Sequence, residues 1–109
     1  MINIAAIESR IAEIAAAHGA EIGHVGASEK SDAIYVDVRK PKEIDRQYGV
    51  MEYWHALVRV SNHYNHTHTA DSLDADYLGN IWEADSVEQQ LDELTAFLAS
   101  AETTDVTDQ

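Results

Sequence analysis

Cysteine is absent from these 109 residues, proline and phenylalanine each occur once, and lysine and arginine together number 7 against 20 carboxylates. Without a thiol there is no disulfide, no thiolate zinc site and no cysteine nucleophile. Long apolar runs are also missing. No segment approaches the roughly 18–20 apolar residues of a membrane-spanning helix, and the N-terminal stretch, interrupted by Glu8, Arg10 and Glu13, lacks the basic start of a secretion signal. A cytoplasmic protein is expected. G-x-S-x-G and H-E-x-x-H are not found, no Gly-Lys pair exists for a phosphate loop, and Gly19, Gly23 and Gly26 do not have dinucleotide-loop spacing. The net charge of −13 disfavours direct binding to nucleic acid or to anionic lipid, since both repel it.

The charge is unevenly placed. Asp71, Asp74, Asp76, Glu83, Asp85, Glu88, Asp92, Glu93, Glu102, Asp105 and Asp108 all fall after residue 70, with no lysine or arginine among them. The preceding 70 residues carry all 7 bases and are nearly balanced. Such asymmetry bears on partners far more than on fold.

Ile4, Ile7, Ile11 and Ile14 recur at helical spacing, with Asn3 as a cap before them and Gly19 as a stop after them. This predicts a helix over 4–18. The period then changes to two. AEIGHVGAS and AIYVDVRK are expected to pair as a hairpin through EKSD, with Ile34, Val36 and Val38 facing inward. Pro41 is expected to end the second strand, leaving about ten irregular residues in which Arg39, Lys40, Lys42 and Arg46 crowd together. YWHALVRVS makes a third strand with Trp54, Ala56, Val58 and Val60 on one face. DADYLGNIWEA makes a fourth, apolar on both faces and so expected inside the sheet. In D-S-V-E, Asp85 and Glu88 have capping-box spacing ahead of Val87, Leu91, Leu94 and Leu98, which predicts a helix over 86–100. ETTDVTDQ has no periodicity.

Helix, four strands, helix is the order of an α+β fold, a mainly antiparallel sheet with both helices on one face. One domain over residues 1–100 is expected, followed by a flexible acidic tail over 101–109. The opposite sheet face carries Tyr35, Asp37, Arg39, His55 and Arg59 and is expected to be solvated or to bind something.

Three constellations invite a functional reading. Glu88 and Asp92 are one helical turn apart, about 6 Å in rise, and Asp74 and Asp76 are about 7 Å apart on a strand. Like charges at that spacing repel, and no lysine lies beside them in sequence. One carboxylate row is about half as dense as the phosphates of a DNA strand, spaced about 3.4 Å apart, so imitation of a duplex needs two rows. The plainer explanations are a solvated face, with Asp85 and Glu88 favoured by the helix dipole, or a halophilic surface, which predicts acids over the whole chain. The basic stretch Arg39–Arg46 could instead meet the acids within the fold or across a head-to-tail oligomer.

His63, His66, His68 and Asp71 form the second set. Imidazoles two apart on extended chain share a face, so this loop could bind zinc or a similar divalent ion, or could be a solvent-exposed polar loop. Otherwise no cofactor is expected. The third set is aromatic: Tyr48 and Tyr64, in loops, are interface candidates, whereas Trp54 and Trp82 have strand spacing and are expected in the core. Ser61, His55 and Asp37 are the residue types of a hydrolytic triad, though nothing in their spacing assembles one.

The reading that follows is a non-enzymatic acidic interaction module. Asp74, Asp76, Glu83, Glu88, Asp92 and Glu93, with Tyr48 and Tyr64, would dock on a basic, nucleic-acid-binding surface of a partner protein. Its most concrete form is a phage-type inhibitor of host defence, an anti-CRISPR or anti-restriction nucleic-acid mimic. The alternatives are a metal-binding or metal-dependent enzyme built on the histidine loop, and an acidic structural or assembly subunit.

Overall fold

A computed structural model describes residues 3–28, 33–62, 77–81 and 84–107. The elements are α1 (Ile4–Ala17), β1 (Glu21–Ser28), β2 (Ala33–Asp45), β3 (Gly49–Ser61), β4 (Tyr77–Ile81), α2 (Ala84–Ser100) and a two-residue β5 (Thr104–Asp105). The sheet runs β1-β2-β3-β4, antiparallel through the first three strands.

Both ends of α1 follow from sequence. Asn3 Oδ1 accepts the Ala6 amide at 3.0 Å. At the other end Gly19 takes φ +71°, and the amides of Gly19 and Ala20 donate to Ala16 and Ala15, which closes the last turn. Ile7, Ile11 and Ala15 are buried against Val36 and Val38 of β2 and Ala56, Val58 and Val60 of β3, together with Leu91, Leu94 and Leu98 of α2. One apolar cluster thus joins both helices to one sheet face, the expected α+β arrangement.

β4 lies at the end of the sheet and pairs with β3 in parallel, Val58 opposite Gly79 and Val60 opposite Ile81. Among the described residues it is an edge strand and not an interior one, and it is not joined to β3 as a hairpin, since hairpin strands are antiparallel. Nor is α2 capped by Asp85. The helix begins at Ala84, which puts Asp85 in its first turn, and the Glu88 carboxylate reaches Arg10 instead of turning back to close a capping box.

Pro41 does not end β2. The strand continues to Asp45, turns with the Tyr48 amide donating to the Asp45 carbonyl, and returns as β3 from Gly49, whose φ of +94° suits glycine. Proline is tolerated because of where its nitrogen points. In an extended residue N–H and C=O project to the same side, and the Pro41 carbonyl accepts the Thr103 hydroxyl at 2.6 Å, away from β3. No ladder donor is lost, and the register shift after Pro41 absorbs the rest.

The resulting hairpin is long, and β1 accompanies it only as far as the pair Glu21 and Arg39. Past that point the edge of β2 is taken by the residues after α2. β5 pairs in parallel with Glu43 and Ile44, the Val106 amide donates to the Ile44 carbonyl at 2.8 Å, and the Arg46 amide donates to the Thr107 hydroxyl at 2.9 Å. Residues 101–107, expected to fray, are therefore docked, held by polar contacts that carry no periodic signal. The hairpin lengthens the molecule, whose extents are 50 × 25 × 19 Å.

Candidate functional sites

The helix layer presents one candidate surface. Leu91, Leu94 and Leu98 turn into the core, which leaves Glu88, Asp92 and Glu93 of α2 exposed. Arg10 of α1 meets them from 78 residues away, its two terminal nitrogens 2.7 and 3.1 Å from the two Glu88 oxygens. This bidentate bond holds the Glu88 carboxyl below its ordinary range and raises the Arg10 guanidinium, which Glu13 and Asp92 also stabilise. The repulsion expected along α2 is thus partly relieved, by a base that sequence neighbours could not reveal. Glu13, Asp92 and Glu93 remain as outward charge.

The other bases among the described residues are engaged inside the fold as well. Arg39 Nε lies 2.9 Å from Glu21 and its guanidinium 4.6 Å above the Tyr53 ring. Lys40 Nζ donates at 2.7 Å to the Leu98 carbonyl, so it supplies the C-terminal positive charge that α2 lacks in its own last turn. Lys42 sits 3.6 Å from Glu52 and 4.3 Å above Trp54, and Arg46 Nε lies 2.7 Å from Asp105. Asp105 also accepts the amide and hydroxyl of Thr107, and these bonds, more than Arg46, hold its carboxyl below the ordinary range. Arg59 is buried, 2% exposed, which corrects the expectation of an open face at that end of β3, where Leu57 and Ser61 are buried too.

The second candidate lies on the sheet face away from the helices. Glu21 lies opposite Arg39, and a bulge after Ile22 then places His24 opposite Asp37. A Cβ on Gly23 would lie 2.9 Å from Arg39 Cδ and 3.0 Å from Asp37 Oδ2, so glycine lets those two side chains cross the strand at this point. His55 Nδ1 lies 3.2 Å from Asp37 Oδ1, and its ring centroid is 6.1 Å from that of Tyr53. A carboxylate that orients an imidazole is the acid–base part of many catalytic sets. The nucleophile of the residue types noted above does not join it, for Ser61 is wholly buried and about 20 Å along the strand from His55.

Of the sequence-predicted interface residues, Glu88, Asp92 and Glu93 share the exposed side of α2. Tyr48 is 71% exposed but sits at the hairpin turn, beyond the other end of that helix, so it does not join them. Trp54 is half-buried and not in the core; its indole N–H donates to the Glu102 carbonyl at 2.8 Å. Asp74, Asp76, Glu83, Tyr64 and Trp82 lie outside the described residues, as does the metal set His63, His66, His68 and Asp71. Among the described residues no three His, Asp or Glu side chains are grouped to hold a metal ion, and no helix is long and apolar enough to cross a membrane. Comparison with protein-family models, with curated proteins and with solved structures finds no match to this chain.

Proposed function

We propose that the chain is an acidic interaction module that docks through its helix layer onto a basic surface of another protein. The observation that carries this reading is the internal use of the bases among the described residues. Arg10, Arg39, Lys40, Lys42 and Arg46 each contact a group of the same chain, and Arg59 is buried. Among the described residues the exposed, unpaired charge of α1 and α2 is that of Glu13, Asp92 and Glu93, so a complementary surface must bring its own cations. Head-to-tail self-association through Arg39–Arg46 is disfavoured for the same reason, since those side chains would first have to leave their present partners.

In its most concrete form the partner is a nucleic-acid-binding defence complex of the CRISPR or restriction type. Its channel would take carboxylates in place of phosphates. A nucleic-acid mimic needs two acidic rows, and Glu13 of α1, which acts on Arg10 together with Glu88 and Asp92 of α2, would add a carboxylate from the neighbouring helix to the row on α2.

The test is a capture of partners from the native host followed by a salt titration of the recovered complex. Affinity should fall steeply with salt, and Asp92→Lys with Glu93→Lys should remove binding while the melting temperature stays unchanged. A complex indifferent to both salt and charge reversal would refute the proposal.

A further inference from the structure

We propose that the far edge of β2, from Pro41 to Arg46, is a seat for an extended peptide strand. The chain's own residues 102–107 act there as a stand-in that a partner's segment displaces. The seat is defined by the groups it offers. The Pro41 and Ile44 carbonyls accept, the Arg46 amide and the Trp54 indole N–H donate, and the Arg46 guanidinium selects a carboxylate. The present occupant uses all of them: the Thr103 hydroxyl to Pro41, the Val106 amide to Ile44, the Thr107 oxygen to Arg46 N–H, the Glu102 carbonyl to Trp54, and Asp105 to the guanidinium. Strand addition works this way, with main-chain bonds giving affinity and a few side chains giving specificity.

Two observations point to displacement over permanent attachment. The occupant is lightly held, with a ladder of two residues and Glu102, Thr103, Thr104 and Asp105 all exposed, so it belongs to the part of the structure that opens at low cost. The same hairpin also leaves apolar surface that the occupant does not cover. Tyr48, Val50 and Met51 are 71, 37 and 57% exposed, and Val50 faces Ile44 across the ladder. A partner segment with an aspartate at the place of Asp105 and apolar β-branched residues toward the turn would keep the polar bonds and bury that surface as well. The inference does not depend on the acidic helix layer, which lies elsewhere on the molecule.

Hydrogen exchange on the intact chain is the first test. The Arg46 and Val106 amides should exchange at least about tenfold faster than those of Val36 and Val58. Equal rates would mean that the segment leaves only when the whole protein unfolds, and would overturn the proposal. The second test weakens the occupant in the full-length chain, with Asp105→Asn and Thr107→Ala, and titrates a labelled synthetic peptide of sequence ETTDVTDQ.

The variant should bind the peptide about tenfold more tightly than the wild type, whose seat is vacant for a correspondingly smaller fraction of the time. A peptide with lysine in place of its first aspartate should not bind. Equal affinity for both proteins, or no binding by a variant whose Arg46 amide exchanges freely, would overturn the assignment. So would an Arg46 amide as protected as in the wild type, because the occupant would then not depend on the side chains that hold it. A concentration-dependent dimer of the variant would make a second copy the occupant, and would likewise refute the partner.

Discussion

The two ends of the long hairpin are held in different ways. At the helix end Val36, Val38, Val58 and Val60 meet Ile11, Leu94 and Leu98, all at 0–1% exposure, and stability there comes from apolar area removed from water. At the turn end no buried cluster exists among the described residues. Direction-dependent bonds to residues 102–107 do the work, with the ion pairs of Arg39, Lys42 and Arg46 and two cation–ring contacts beside them. Apolar burial is cooperative and tolerant of small shifts, whereas each polar bond fails singly when its geometry is lost. The helix end should therefore respond to mutation as one unit and the turn end contact by contact.

Leu94→Ala should have the largest effect, since it opens a cavity between α2 and the sheet. A loss of about 2–5 kcal/mol in denaturant unfolding is expected, with both ends lost in one transition. A turn end that outlived the core would break the contrast. Trp54→Phe comes next. It keeps most of the ring area and removes the bond to Glu102, for a cost of about 1 kcal/mol. That cost should appear as faster amide exchange at Val106 and Arg46, while the Leu94 amide, which opens only with the whole protein, should speed up by no more than about fivefold.

Acid should separate the ends further. The Asp105 and Glu88 carboxyls are both depressed in the folded chain. Their contribution is therefore complete above the unfolded carboxylate values, about 4, and is lost as pH falls through the lower folded values. Amide exchange followed downward from pH 5 should report loosening at residues 102–107 and at the contact between the helices before the core gives way. The smallest effect on stability is expected of Arg10→Gln, because both partners of that pair are well exposed. Its melting temperature should be unchanged, while affinity for a basic partner and the dependence on salt should both rise, as the helix layer loses its one cation among the described residues.

The helix end was legible in the sequence because periodicity reports burial. The isoleucines of α1, the alternation of β2 and β3 and the leucines of α2 each point to one face, and that face is where the core lies. The turn end was not legible, because its determinants are pairings between residues far apart in the chain. Pro41 reads as a strand end until Thr103, 62 residues away, occupies its carbonyl. ETTDVTDQ has too little apolar content to suggest order, yet its threonines and aspartate are the groups that bind β2. The start of α2 was misplaced by a similar cause, since the Glu88 that completes a capping-box pattern serves Arg10. For the interface candidates, exposure of α2 was foreseeable from its stripe. The cation from α1 and the internal use of the basic stretch were not.

The bond from Lys40 to the Leu98 carbonyl has a consequence beyond neutralising a helix end. A leucine stripe resting on a valine surface is held across its width but only weakly along its length, because apolar contact has no direction. One ammonium fixed to one carbonyl near the end of α2 works as an alignment pin. It sets how far along the sheet the helix stops, and so which residue of the following segment arrives at which residue of β2. Without it the helix could settle a fraction of a turn away with its core contacts largely kept, and Asp105 would arrive out of step with Arg46.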